Sequence, residues 1–341
     1  MARQDPEARR TVTRLAMGFM MTHAVRAAAE LKLLDAVGSG TRAAADVAAE
    51  SGTPVETTTR LLRALAGLGL CAEPRPGEFS ATAAGALMRT DHPASMHAFV
   101  ETFTDPVMTS AWPELPFSVR TGRTAFDEVH GKPFFAYLRE EPEKSALFND
   151  AMRDGTRAIA EVLPGCFDFG PYRTVLDIGG GDGTLISPAL RENPHLRGIV
   201  FDSAEGGAQA PDRLAAAGVG DRCTVEAGDF FAAVPAGAEV YLIKSILHDW
   251  DDERSATILG HCRSVIPDDG RLLIVEPVLP GTADPAMAGL YLSDLNMLVN
   301  VGGRERTRAD FEALCARAGF AVTAANPVRD TGYWLLEAVP Q

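Results

Sequence analysis

Apolar residues recur at three- and four-residue spacing through the first half of the chain, then in short continuous runs through the second. "MGFMMTHAVRAAAELKLLDAV" (residues 17–37) carries the helical rhythm, and Gly38 with Gly40 closes it. Next come a helix over Ala43–Ala49, a Ser-Gly-Thr-Pro turn and a second helix over Val55–Leu68. "EPRPGEFSATAAG" then reads as a short polar hairpin with Gly77 at its tip. Helix, turn, helix and hairpin outline a winged helix. Residues from Thr90 to Leu163 add helical material rich in Phe and Met, including Phe99, Met108, Phe134, Phe135, Phe148 and Met152. Such side chains form core, or line an apolar pocket.

From about Pro171 short strands alternate with helices. The strands fall at Thr174–Ile178, Gly198–Phe201, Cys223–Glu226, Val240–Lys244, Arg271–Glu276, Ala321–Asn326 and Trp334–Ala338. Asp252–Val265 and Arg308–Ala318 are among the helices between them. Alternation of this kind builds a parallel sheet covered on both faces. A short Asp-Thr-Gly turn joins the last two strands, so the sheet ends in an antiparallel hairpin. The expectation is an α/β protein: a Rossmann-like, doubly wound domain over 166–341, preceded by a mostly helical winged-helix domain over 1–165.

Composition narrows the partners. The 341 residues carry a formal charge of -14, which works against non-specific nucleic-acid binding and anionic membranes. A winged helix invites a DNA-binding reading, yet Glu50 and Glu56 flank Arg60 and Arg63 on the recognition helix; packing or dimerisation is the competing role. Five cysteines, none in a Cys-x-x-Cys pair, suggest neither disulfide framework nor zinc knuckle. "MARQDPEARR" lacks the apolar core of a signal peptide, and no apolar run reaches membrane-spanning length. These point to a reduced, cytoplasmic protein.

"TVLDIGGGDGTL" (residues 174–185) holds the first chemistry. A strand feeds a glycine turn, which lets a ligand lie against main chain at Gly179, Gly181 and Gly183. A helix opening near Thr184 would aim its N–H groups at an anionic group. Asp202 ends the second strand, placed to accept from ribose hydroxyls. "GDFF" after the third strand places Asp229 for an adenine amino group and Phe230 for the ring face. Asp177 is odd for a dinucleotide fingerprint and suits the loop or a ligand ammonium. An amino acid joined to adenosine fits these features better than a pyrophosphate.

"VLDIGGGDG", "FDS", "GDFF", "LIKSILHDWDDE", "LLIVEPVLP" and "GGRERT" occur in the order and spacing of the S-adenosylmethionine-dependent O-methyltransferases of the caffeate/acetylserotonin type. The chain resembles most their bacterial members that methylate aromatic polyketides and related metabolites. The resemblance covers almost the whole chain. It implies S-adenosylmethionine as methyl donor, a small aromatic acceptor, and a homodimer in which the partner's first helices close the acceptor pocket. It also implies a helical N-terminal domain devoted to dimerisation.

Methyl transfer to a phenol requires removal of a proton with a pKa of about 10. His248, just beyond the fourth strand on the carboxyl edge, is the candidate base. Glu276 ends the fifth strand on the same edge, and Glu305 sits in "GGRERT"; either could fix the imidazole tautomer. The competing role for the two glutamates is ion pairing with Arg304 or Arg306. By resemblance, Thr156 lies near the methionine carboxylate, Lys244 and Ser245 touch the donor's polar end, and Asp249 stands beside the acceptor oxygen or caps the following helix. Met152, Asp294, Met297 and Asn300 are placed on the acceptor pocket. No set of residues has metal-ligand spacing, so catalysis without a metal is expected. One departure stands out: the family has Leu-Pro after the acid matching Asp202, and this chain has "SAEGGAQAPD". Other uses of the fold remain open, namely hydroxylation, decarboxylation or cyclisation with the donor retained, or a donor-sensing regulator. The complete His-Glu-Glu set argues against both, and the loop pattern against a nicotinamide dehydrogenase.

Overall fold

The computed structural model describes residues 5–341, so part of the charged start of the chain lies outside it. The chain divides into two compact units: one runs to Thr109 and includes Asp150–Asp154, the other comprises Ser110–Asn149 and Gly155–Gln341. The line at 165/166 marks the change from helix to sheet; the units are cut differently.

In the first unit Asp5 caps the helix Pro6–Ala16, its carboxylate accepting from Glu7 and Ala8 N–H, with proline in the first turn. Gly18–Glu30, Ala44–Glu50 and Val55–Gly67 follow. The hairpin forms from β2 (Cys71–Arg75) and β3 (Glu78–Ala81), and gains a third strand, β1 (Thr41–Ala43), in the order β1-β3-β2. Thr41 pairs with Ser80 and Ala43 with Glu78, which holds residues 41–43 extended and delays the helix to Ala44. Leu33, Leu34, Val37, Val47, Leu62, Leu65 and Phe79 form the core. On the predicted recognition helix the Arg63 guanidinium is committed to Glu73, with contacts of 2.9 and 3.0 Å. Val12, Leu15, Phe19 and Met20 on the first two helices are exposed.

The second unit holds an eight-stranded sheet. Its strands are β4 (Thr174–Ile178), β5 (Arg197–Asp202), β6 (Cys223–Ala227), β7 (Val240–Lys244), β8 (Arg271–Leu279), β9 (Arg306–Thr307), β10 (Phe320–Pro327) and β11 (Tyr333–Pro340). The order is β10-β11-β8-β7-β4-β5-β6, with the short β9 added to β8. β4 to β8 are parallel, and β10 and β11 antiparallel, as the Asp-Thr-Gly turn predicts. One face packs Val175, Leu242, Val275 and Leu335 against Ile159, Leu163, Ile186 and Leu190. The other packs Leu176, Ile243, Ile274 and Leu336 against Ile258, Cys262, Phe311 and Leu314. Both faces being covered, the central strands read as mostly apolar runs, broken inside β4 by Asp177 and inside β8 by Glu276. The order reverses between β4 and β7, and a ligand crevice belongs beyond the carboxyl ends there. Among the described residues no helix is long and apolar enough to cross a membrane.

Candidate active site

β7 ends at Lys244, and the chain turns sharply. Ser245 takes φ 52°, a left-handed conformation uncommon outside glycine. A single 3-10 turn, Leu247–Asp249, then presents His248. Two separate segments hold that turn. Glu276, fully buried on β8, accepts at Oε1 from the N–H groups of Ile246 (3.0 Å) and Leu247 (2.9 Å). Arg306, also fully buried, donates to the carbonyls of Leu247 and Trp250, on either side of His248. Its charge is met by Asp252 Oδ1 at 2.7 Å. The Gly303 backbone lies so close that a Cβ there would fall 2.0 Å from the His248 carbonyl oxygen.

The imidazole is gripped as well. Nδ1 lies 3.1 Å from Glu305 Oε1 and 3.8 Å from Glu276 Oε2. Glu305 is fixed in turn: Ser293 Oγ donates to its Oε1 at 2.9 Å, and its N–H donates to Asp294 Oδ1 at 2.8 Å. β9 aligns this segment by pairing Arg306 with Val278. With Nδ1 engaged, Nε2 is the nitrogen left for an acceptor, and Asp249 Oδ1 stands 3.7 Å from it. Neither glutamate pairs with the neighbouring arginines: Arg304 contacts Asp310 and Asp252, and Arg306 contacts Asp252.

Burial alone would lower the pKa of His248, but Glu276, Asp249 and Glu305 together push it up to about 10. Burial raises Asp249 to about 7, with Glu276 and Glu305 adding and His248 opposing. Glu276 is raised by burial too.

Beside this cluster lies a second one, at the end of β4. Gly179, Gly181 and Gly183 all take left-handed φ, but a Cβ would meet Ile246 at Gly179, Leu214 at Gly183 and open space at Gly181. Of the three, only Gly181 has open space where a side chain would stand. Its N–H donates to Asp202 Oδ2 at 2.9 Å, while Asp202 Oδ1 accepts from Ser203 N–H at 2.7 Å. Each oxygen keeps a lone pair for a hydroxyl. In the divergent "SAEGGAQAPD" stretch Gly206 closes on Asp202; a Cβ there would sit 2.1 Å from Oδ1. The helix after the glycine loop starts at Ile186, not near Thr184, because Gly183–Leu185 remain in the turn. Its seven residues offer no strong dipole to an anion.

Asp177 is 1% exposed, and its Oδ2 has no hydrogen-bond partner among the described residues. Burial pushes its carboxyl up to about 8, with Asp202 and Asp182 adding and Lys244 opposing. Lys244 is lowered by burial to about 8, against the pull of Glu276, Asp177 and Asp249. Its Nζ donates to Thr156 Oγ1 at 3.0 Å. A buried carboxyl, an ammonium and a hydroxyl suit a zwitterionic amino-acid group, the polar end of S-adenosylmethionine. Asp229 accepts from Phe231 N–H at 2.8 Å, and Phe230 packs on Phe231 with ring centres 4.9 Å apart.

The acceptor-pocket residues fare differently. Asp294 supports Glu305. Met297 and Asn300 are buried in a π-helical turn, Met297–Val301, and Asn300 Nδ2 donates to Asn296. Such turns cluster at functional sites. Met152 falls in the segment grouped with the first unit. Sequence reasoning gave no role to Ser293, Gly303 or Tyr333, and named Arg306 only as a partner for the glutamates. The one signal available was a glycine pair directly before "RERT".

These shifts fix how stability depends on pH. An acid raised in the folded state contributes stability that is full below its unfolded value and is lost as pH rises through the folded one. For Asp177 that window runs from 3.8 to about 8, and for Asp249 from 3.8 to about 7. His248, raised from 6.5 to about 10, continues the loss, while Lys244 opposes it only above about 8. The ligand-free protein should melt at lower temperature at pH 8 than at pH 5, and Asp177→Asn should flatten that slope. Parallel wild-type and mutant melting curves against pH would show that Asp177 is not a buried, proton-holding acid.

Residues 112–321 match the O-methyltransferase domain model, and residues 13–91 the O-methyltransferase dimerisation domain. The chain is 46% identical to O-demethylpuromycin-O-methyltransferase of Streptomyces alboniger over 337 residues, covering 98% of this chain and 89% of that protein. The solved structure of LaPhzM superposes with a TM-score of 0.91 at 38% identity, covering 98% of this chain and 99% of the other. CalO1, a methyltransferase in calicheamicin biosynthesis solved in its S-adenosylhomocysteine-bound form, gives 0.85 at 33% identity over the whole of both chains. The dimerisation domain makes a second copy of the chain its partner. The chain belongs to the O-methyltransferase family and is an S-adenosylmethionine-dependent O-methyltransferase.

Proposed function

We propose that the protein methylates a phenolic or enolic hydroxyl of a small aromatic secondary metabolite, with His248 as general base and no metal. The observation that carries this reading is the His248–Glu305 contact of 3.1 Å on the sheet edge that also holds Asp177 and Lys244. S-adenosylmethionine supplies an electrophilic methyl group on a sulfonium. The chain's own work is to place an oxygen before that methyl and take its proton. Nε2 of His248 receives the proton, while Glu305 holds Nδ1–H and, with Glu276, stabilises the imidazolium. Glu276, Asp249 and Glu305 raise the imidazole above its ordinary basicity, which strengthens it as acceptor of a phenolic proton. Asp249, beside Nε2, orients the acceptor hydroxyl. Asp177, Gly181, Lys244, Ser245 and Thr156 receive the donor's amino-acid end, Asp202 the ribose, and Asp229 with Phe230 the adenine. Asp294, Met297 and Asn300 border the acceptor.

The domain division at 165/166 and a cytoplasmic location are part of the same reading; five unpaired cysteines, four of them buried, suit a reducing compartment. The test is methyl transfer from labelled S-adenosylmethionine to a panel of phenols, aryl amines and aliphatic alcohols, run with and without a chelator. Turnover confined to acidic hydroxyls and indifferent to the chelator is expected. Preference for amines, or loss of turnover restored by a divalent cation, would contradict it.

A further inference from the structure

Tyr333 opens β11. Asp177, Lys244 and Tyr333 share one face of the sheet. Val175, Leu242 and Leu335 pack together in the core on that face, and the three polar residues stand two positions along the same strands. Thr156 comes to them from the helix Pro142–Val162. Lys244 Nζ lies 5.3 Å from the centre of the Tyr333 ring, within range of a cation–π contact. The Tyr333 hydroxyl accepts from Ser245 Oγ at 3.2 Å, and among the described residues nothing accepts its own proton. Burial, with Glu276, Glu305 and Asp249 adding, pushes that hydroxyl up to about 12, so it stays a neutral donor.

The geometry points to Tyr333 as a further binding residue for the donor: its hydroxyl gives a hydrogen bond to the carboxylate of the amino-acid end, beside Lys244 and Thr156. This rests on the placement of that end between Asp177 and Lys244. The charges divide naturally. The unpartnered Asp177 oxygen suits the ligand ammonium, and the ammonium and two hydroxyls opposite suit the ligand carboxylate. The aromatic ring under Lys244 keeps the lysine aimed without neutralising it, as a carboxylate partner would.

Tyr333→Phe keeps the ring and removes only the hydroxyl. Binding of S-adenosylhomocysteine and of its decarboxylated analogue is measured by titration calorimetry, on wild type and variant of equal melting temperature. The variant should bind S-adenosylhomocysteine roughly tenfold more weakly, and the decarboxylated analogue within about twofold of wild type. Equal weakening for both ligands, or for neither, overturns the assignment. Failure of the wild type to bind S-adenosylhomocysteine would instead remove the donor site on which the assignment stands.

Discussion

His248→Ala should lower kcat by about a thousandfold while S-adenosylhomocysteine binds within about twofold of wild type. The two halves of the result come from the separation of the clusters. In the proposed site, Asp177, Lys244 and Thr156 receive the donor end through atoms that do not contact the imidazole. Removing it leaves Glu276 bonded to the Ile246 and Leu247 N–H groups, so the turn survives. What disappears is the proposed base, held at one nitrogen by Glu305, with the other left for the acceptor. Steady-state kinetics with saturating donor and calorimetry on the same preparations check it. A rate within tenfold of wild type would remove His248 from the proton transfer.

Gly303→Ala should be nearly as damaging, although residue 303 has no side chain to offer either ligand. A Cβ would meet the His248 carbonyl oxygen at 2.0 Å, the Asp249 carbonyl carbon at 2.3 Å and the Trp250 nitrogen at 2.6 Å. All three are backbone atoms, so no side-chain rotation relieves them. Either the His248 turn or the "GGRERT" segment must move, and either movement parts His248 from Glu305. Misplacing a catalytic group by about 1 Å costs on the order of a hundredfold. The expected result is a fall in kcat of about a hundredfold or more, with a lowered melting temperature, and donor binding largely kept. Normal kcat in a folded Gly303→Ala protein would show that the close approach has no catalytic consequence.

Local chemistry made much of this legible. The helix Asp252–Val265 was readable to the residue because Asp251 accepts from Arg254 N–H as its cap, and Asp252 and Glu253 fill the first turn. β7 was readable because a strand buried on both faces is an uninterrupted apolar run, here ending in a charge, and β4 because its apolar run, broken only by Asp177, feeds a glycine turn. The parts that escaped depend on partners far along the chain. Thr41–Ala43 is a strand only because Ser80 lies opposite. The role of Arg306 depends on carbonyls more than fifty residues away, at Leu247 and Trp250. Tyr333 joins the donor cluster only because β11 folds back beside β8. His248, Glu276 and Glu305 could be named from their motifs, but only the fold shows that Glu305 holds the imidazole while Glu276 also holds the main chain of the turn.

The central claim is that a histidine raised by its carboxylate neighbours takes the acceptor's proton. The pH dependence of kcat/KM in wild type and Glu305→Gln tests it most directly. Glutamine still accepts from Nδ1–H, so the ring stays oriented, but one of the charges that raise the imidazole is gone. The limb on which the rate climbs with pH should move down by about a unit or more in the variant, with a lower plateau. A limb that stays in place, or moves to higher pH, would contradict the account.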